Sequence, residues 1–278
     1  MMRQALTPMP RSQSDLTVTI TPSRAQAFAR CPLQYSETFG QTPGDDTSRH
    51  LQIGQYIHEL VDCHNQMVLA GHEPSIDEVL ERVLPPAQLR DGGNGEMHLR
   101  ELGRESLEGY RGFLADQRFA AIVASERYVR TPPRPVAGVP GCAIVLSGRF
   151  DLIATRVSAS RNDNIEANTL ASVTCVDVKT AISADLADQP SSAIYDHLAR
   201  FAYQTDDVEL MQVTRTGQWT SVRLTPTQIE VGKDFCRRMV AAIHARQFPA
   251  CPGGQCDYCP LVSICPAHRS RPGWDTAF

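Results

Sequence analysis

Residues 148–180 read GRFDLIATRVSASRNDNIEANTLASVTCVDVKT, and the fold turns on how they are read. The segments 149–155 (RFDLIAT) and 173–179 (VTCVDVK) are short and rich in β-branched or aromatic residues, and a Ser/Asn/Asp/Arg-rich stretch at 156–172 separates them. That pattern predicts two strands. Side chains alternate across a strand, so Asp177 and Lys179 point to one face. If the segments pair as an antiparallel hairpin, Asp151 comes close to both. Two carboxylates converging with one lysine are costly to place in a sheet unless a cation joins them. A divalent ion satisfies both carboxylates, and hard oxygen ligands suit Mg²⁺ or Mn²⁺. Such an ion can activate a water and stabilise charge building on a phosphate, while the lysine orients the water or holds the phosphate. The simpler reading of an Asp-x-Lys inside a strand is an ion pair at a sheet edge. The Gly148-Arg149-Phe150-Asp151 segment and the rest of the chain weigh against it.

Upstream of this stretch, a strand at 142–147 leads into Gly148. A link rigidified by Pro132, Pro133, Pro135 and Pro140 joins it to a strand at 123–130 that carries Glu126. A helix is predicted over 98–121, with Leu107, Tyr110 and Leu114 on one side, after a connecting segment at 71–96. Another covers 51–70, with Ile53, Ile57, Leu60, Val61, His64 and Val68 as its buried stripe. On its neighbouring face Gly54 stands one turn before His58 and leaves room for something to approach the histidine. A polar loop occupies 41–50. A short helix at 23–31, capped by Ser23 and stopped by Pro32, delivers Cys31 at its end.

Downstream, Ile194, Leu198 and Phe201 mark a helix over 192–204. Strands at 208–214 and 219–224 flank the turn Arg215-Thr216-Gly217-Gln218. Thr225, Pro226 and Gln228 then form a helix start with a capping box; the stripe is Ile229, Gly232, Cys236, Met239 and Ile243, and Pro249 ends it.

The chain has 278 residues, 42% hydrophobic and 21% charged, the composition of an ordinary globular protein. No apolar run is long enough to span a membrane, and the N-terminus lacks the apolar core of a secretory signal. The net charge of −4 does not advertise nucleic-acid binding. Arg24, Arg30, Arg237, Arg238, Arg246, His268, Arg269 and Arg271 can nonetheless supply a local basic groove, or lie scattered in solvent. Four of the nine cysteines crowd into 251–265, which is no disulfide framework and points to a metal site in a reducing cytoplasm. Two arrangements fit the spacing. Cys251, Cys256, Cys259 and Cys265 can hold a local Zn²⁺, or Cys256, Cys259 and Cys265 can join the distant Cys31 around an iron–sulfur cluster, stapling residue 31 to the C-terminal segment.

In order along the chain stand Ser23 to Cys31-Pro32, Gly54-x3-His58, Gly148-Arg-Phe-Asp151, Asp177-Val-Lys179-Thr180 and Cys256-x2-Cys259-x5-Cys265. Together these resemble the PD-(D/E)xK nuclease superfamily, and within it the RecB/AddB-type branch with a C-terminal iron–sulfur cysteine cluster. The resemblance implies a metal site of His58, Asp151, Asp177 and the Val178 carbonyl, with Asp151, Asp177 and Lys179 as catalytic residues. It implies a [4Fe–4S] cluster on Cys31, Cys256, Cys259 and Cys265, with Cys251 spare. That branch often carries Gln-x3-Tyr on the helix after the lysine strand. Here Tyr203 fits the tyrosine, Ala199 stands in the glutamine's place and Gln204 follows, so Tyr203 and Gln204 are auxiliary candidates. Glu126 is another from its own strand, although an exposed strand glutamate is the simpler expectation.

The expected fold is α/β: a central mixed sheet flanked by helices, a helical N-terminal portion, and N- and C-terminal segments meeting at the cluster. The expected layout is a disordered tail at 1–19, one nuclease domain at 20–268 (helical portion 20–122, catalytic sheet 123–224, helix and cysteines 225–268) and a tail at 269–278. The expected function is Mg²⁺- or Mn²⁺-dependent DNA cleavage, as an exonuclease on single-stranded DNA or DNA ends in repair, recombination or processing, with a helicase or recombination partner. The alternatives are a non-catalytic nucleic-acid-binding or assembly subunit that keeps the fold, and a zinc-stabilised interaction module.

Overall fold

The strands expected either side of 156–172 are present and pair antiparallel, with Leu152 opposite Val176, Ile153 opposite Cys175 and Ala154 opposite Thr174. The computed structural model describes residues 16–40, 49–89, 93–117, 119–156, 172–179 and 185–269. The hairpin tip at 157–171, Thr180 and the two chain ends lie outside them.

In chain order the elements are β1 (Leu16–Ile20), α1 (Pro22–Arg30), α2 (Pro32–Gly40), α3 (Arg49–Leu69), α4 (Ile76–Arg82), α5 (Gly93–Gln117), β2 (Ala121–Arg130) and β3 (Arg134–Pro135). Then follow β4 (Cys142–Thr155), β5 (Val173–Lys179), α6 (Pro190–Tyr203), β6 (Val208–Thr214), β7 (Trp219–Val222), α7 (Pro226–Ala245) and α8 (Pro266–Arg269). The sheet runs β1-β4-β5-β6-β7, with β2 and β3 also paired to β4. β1 lies parallel to β4 and β5 parallel to β6; the pairs β2–β4, β4–β5 and β6–β7 are antiparallel. The sheet is therefore mixed, and α6 makes the crossover that a parallel neighbour requires.

Alternation along β5 sorts its side chains into two layers. Val173 and Cys175 pack with Phe28, Ile194, Leu198, Met239 and Val240 of α1, α6 and α7. Val176 and Val178 pack with Ile57, Val61, Tyr110 and Phe113 of α3 and α5. A third cluster, with Tyr56, Leu60, Val79, Leu80, Leu99 and Leu107, ties α3, α4 and α5 together behind that layer. Two glycines set how closely helices meet the sheet. A Cβ at Gly148 would lie 2.9 Å from Leu198 Cδ1 and 3.3 Å from Pro22, so this residue lets α1 and α6 seat against β4 beside Asp151. A Cβ at Gly109 on α5 would lie 2.5 Å from the Arg215 carbonyl oxygen in the β6–β7 turn. Gly109→Ala is expected to destabilise the protein by about 1–3 kcal/mol through overpacking. A lowered urea midpoint checks this, and an unchanged midpoint would show that the turn yields freely.

Several expected boundaries move. Residues 16–19 of the expected tail form β1 together with Ile20, so the N-terminal portion is not wholly helical. The first helix is capped by Thr21, whose Oγ1 accepts from the Arg24 N–H, and not by Ser23, and Pro22 occupies its first turn. Pro32 does not end helical structure but opens α2, the position where a missing N–H costs nothing. Part of the expected connecting segment is α4, capped by Ser75. α5 begins at Gly93 and ends at Gln117, short of the expected 121. The strands at 142–147 and 149–155 are one continuous β4. Of Ile194, Leu198 and Phe201, which mark α6 in the sequence, Phe201 is 41% exposed while the other two are buried. The capping box of α7 forms as expected, yet the helix ends at Arg246 in a left-handed conformation (φ 52°), before Pro249.

Candidate metal centre

The site forms where β4 and β5 part. Pairing between them stops at Leu152 and Val176, so Asp151 and Asp177 stand at the mouth of the cleft rather than in a closed ladder. Across β4 from there, Ser125 pairs with Leu152 and Arg127 with Phe150, which places Glu126 opposite Asp151. Glu126 has φ 50°, a left-handed conformation that costs a non-glycine residue about 1–2 kcal/mol and clusters at functional sites. His58 comes in from α3; a Cβ at Gly54, one turn earlier, would meet nothing within 4 Å. The His58 Nδ1 is 3.3 Å from Asp151 Oδ1 and 3.9 Å from Glu126 Oε1.

Among the described residues, His58, Glu126 and Asp151 are the group whose ligand atoms all lie within 4.8 Å of one another. His58 Nδ1 and both Glu126 carboxylate oxygens are buried without a hydrogen-bond partner. The Arg149 Nε lies 2.6 Å from Glu126 Oε2 and pairs with its charge. These groups face one another at ion-pair distance without a well-formed hydrogen bond, an arrangement that a cation bound among them would complete. The donors, one imidazole and two carboxylates, fit a hard divalent ion. The Val178 N–H donates to Asp151 Oδ2 at 2.7 Å and fixes that carboxylate's orientation. The expectation that Glu126 is an exposed strand residue is therefore wrong: its side chain is only 18% exposed and faces the site.

Asp177 is held differently. Its Oδ2 accepts the Lys179 Nζ at 3.0 Å. Burial pushes the Asp177 carboxyl up to about 6, Lys179 opposing and the Asp151 charge adding to the rise. At His58, burial of the ring opposes its charge, but the Asp151 and Glu126 carboxylates outweigh burial and push it up to about 10. At neutral pH His58 thus carries a proton where a metal would bind, and the two compete. Mn²⁺ affinity is expected to rise by up to about tenfold per pH unit between roughly pH 7 and 9, with one proton released per ion, and to fall off below pH 6 as Asp177 also protonates. Titration calorimetry in buffers of different ionisation heat counts the protons. A pH-independent affinity would place the ion away from His58.

Arg149, Tyr128, Lys179 and the N-terminal residues of α1 (Pro22, Ser23, Gln26) line the open pocket over this site, with Ser191 and Tyr195 of α6. Sequence reading missed the last two. The residues four apart that face the site are Ser191 and Tyr195, not Ala199 and Tyr203. Tyr203 lies eight residues beyond Tyr195, about 12 Å along the helix. It packs with the sheet core, where burial and then the Cys175 thiol push its phenol up to about 12. Gln204 is the left-handed C-cap of α6 (φ 51°). Burial first, then the charges of Asp177 and Asp151, hold Tyr195 well above the ordinary phenol range. Of the arginines expected in a basic groove, Arg237 and Arg238 are tied to Asp234, and Arg24 donates to the Thr19 carbonyl over the Phe39 ring.

At the other end of α1, Cys31 meets the C-terminal loop. Cys31, Cys251, Cys256, Cys259 and Cys265 line one hollow. The Cys251 N–H approaches Cys31 Sγ at 3.5 Å and the Gly253 N–H approaches Cys256 Sγ at 3.4 Å. Gln255 Nε2 donates to the Arg30 and Cys251 carbonyls. All five cysteines are free thiols, and no three of their sulfurs lie within 4.8 Å of one another.

The chain matches the PD-(D/E)XK nuclease superfamily over residues 19–266 and belongs to it. No curated protein matches it. Among solved structures, a candidate exonuclease from Eubacterium rectale is 10% identical, with a TM-score of 0.48 over 92% of this chain and 93% of that one. The protein SSO0001 is 11% identical, with a TM-score of 0.36 over 93% and 90%. Among the described residues, no helix is long and apolar enough to cross a membrane.

Proposed function

We propose that this protein is a metal-dependent deoxyribonuclease that acts from the ends of single-stranded DNA, in the RecB/AddB-type branch of its superfamily. The observation that carries the reading is the convergence of the His58, Glu126 and Asp151 ligand atoms within 4.8 Å of one another, in a chain of a nuclease superfamily. His58, Glu126 and Asp151 hold a Mg²⁺ or Mn²⁺ ion, with Asp177 and the Val178 carbonyl completing its shell. When bound, the ion supplies water activation and neutralises charge at the phosphate. Lys179, anchored on Asp177, aims its ammonium group into the pocket, where it orients the attacking water and stabilises charge on the phosphate oxygens. Arg149, 62% exposed, meets the phosphate from the opposite wall. Residues 20–268 act as one nuclease domain, in the cytoplasm, with a helicase or recombination protein delivering the strand.

We also propose that Cys31, Cys256, Cys259 and Cys265 hold a [4Fe–4S] cluster. Lining one hollow with backbone N–H groups aimed at two sulfurs suits thiolates bound to a cluster, whose sulfur hydrogen bonds tune it.

Cleavage of linear and covalently closed circular single strands tests the end requirement. The linear strand is expected to be degraded with Mn²⁺ or Mg²⁺ and spared with a chelator, and the circle to survive. Degradation of the circle would overturn the end requirement, and metal-independent cleavage would overturn the site.

A further inference from the structure

Glu126, Tyr128 and Arg130 of β2 share one face with Ser147, Arg149 and Asp151 of β4. The register pairs Tyr128 with Arg149 and Arg130 with Ser147. The contacts agree: Arg149 reaches Glu126 at 2.6 Å. Glu126 and Asp151 form the rung that carries the metal ligands. Tyr128 and Arg149 stand two residues further out, about 7 Å along the strands.

Tyr128 is 56% exposed, yet it is not a loose surface aromatic. It lines the same pocket as Asp177 and Lys179, and the register sets it directly beside Arg149. Arg130 and Arg149 flank it. A π-face open to solvent, set beside cations at the mouth of the candidate metal centre, has the makings of a stacking platform for single-stranded nucleic acid. A base inside a duplex offers no such face, since both of its faces are already stacked.

We propose that Tyr128 stacks on an unpaired nucleobase next to the scissile phosphate and thereby selects single strands. This rests on the nuclease reading above and names the substrate feature that its site recognises. Arg149 then contacts the sugar–phosphate on the same nucleotide, so the ring fixes the strand's register over Asp151 and Lys179.

The test is a binding experiment in the Lys179→Ala background, where cleavage is about 10³-fold slower and does not interfere over the time of a binding measurement. A labelled DNA single strand is prepared in versions that each lack one base, and Kd is measured for Tyr128, Tyr128→Phe and Tyr128→Ala proteins. With Tyr128, removal of the base at one position is expected to weaken binding about tenfold or more, the stacking contribution of one base. Tyr128→Ala binds the intact strand about tenfold more weakly and is indifferent to the missing base at that position. Tyr128→Phe keeps the position-specific effect. Equal base dependence with tyrosine and alanine, or no position at which the missing base matters, overturns the proposal. If the wild-type protein still degrades single strands with Mn²⁺, the nuclease reading stands without the platform; if it neither binds nor degrades them, both fall together.

Discussion

Lys179→Ala is expected to slow single-strand cleavage by about 10³-fold while leaving affinity for the strand nearly unchanged. The separation follows from where the ammonium sits. Lys179 Nζ is 3.0 Å from Asp177 Oδ2 and its side chain is 37% exposed, so it is anchored at one side and open to the pocket at the other. It contributes where charge develops, and little to holding a strand that Arg149, Arg130 and Tyr128 also meet. Its removal has a second consequence. Burial raises the Asp177 carboxyl to about 6, and Lys179 is the principal group opposing that rise. Without the lysine the carboxyl moves higher, so the residual activity of Lys179→Ala should lose its acid limb at a higher pH than wild type. Lys179→Arg keeps the charge and should keep the limb in place, even where the guanidinium positions water poorly. Cleavage rates from pH 5 to 9 with saturating Mn²⁺ read both effects. A variant that cleaves like wild type would show that Lys179 takes no part in the chemistry, and a wild type that binds strands without cleaving them would leave its nucleic-acid role one of binding alone. A variant whose rate falls with its pH limb unmoved would mean that Lys179 does not act on Asp177.

The parts of this site legible from sequence are those with local signals. The β4 and β5 segments announce themselves by composition, and a period of two puts Asp177 and Lys179 on one face without reference to the rest of the chain. The α7 start is equally local, since Thr225, Pro226 and Gln228 satisfy its first turn among themselves. His58 was found because Gly54 stands one turn before it on the same helix. What stayed hidden depends on partners far away in sequence. β1 is five residues of LTVTI, too short to distinguish from a tail until β4 supplies its parallel neighbour. α2 follows a proline that reads equally well as a stop or as a first helical residue. Glu126 reads as an ordinary strand glutamate; only its left-handed backbone and its place opposite Asp151 turn it inward, and neither is written in SERYV. Tyr195 was overlooked for Tyr203 because the i, i+4 spacing on α6 recurs every turn. The turn that faces the metal site is decided by Gly148, which lets α6 and α1 close on β4.

Cys31→Ala is expected to strip the iron from the protein, while Cys251→Ala is expected to keep it. The two residues stand together: Cys251 donates its backbone N–H toward Cys31 Sγ at 3.5 Å, and both line the hollow with Cys256, Cys259 and Cys265. Their contributions differ in kind. Cys31 offers a thiolate from the end of α1, whereas the contact made by Cys251 is main-chain and survives replacement of its side chain by a methyl. A cluster on Cys31, Cys256, Cys259 and Cys265 closes a loop of about 225 residues, and on the chain-entropy account such a cross-link stabilises by about 5 kcal/mol. Its loss should lower Tm by roughly 10 °C or more. The same cross-link holds α1 against the C-terminal segment, and α1 places Pro22, Ser23 and Gln26 over the metal centre, so cleavage should decline with it. Anaerobic purification, iron and zinc analysis and thermal melts of the two variants beside wild type decide the matter. A colourless wild type holding one zinc, which Cys251→Ala releases and Cys31→Ala retains, would move the metal to the four C-terminal thiols. Residue 31 would then be joined to the C-terminal segment by hydrogen bonds alone, and the Tm of Cys31→Ala should barely change.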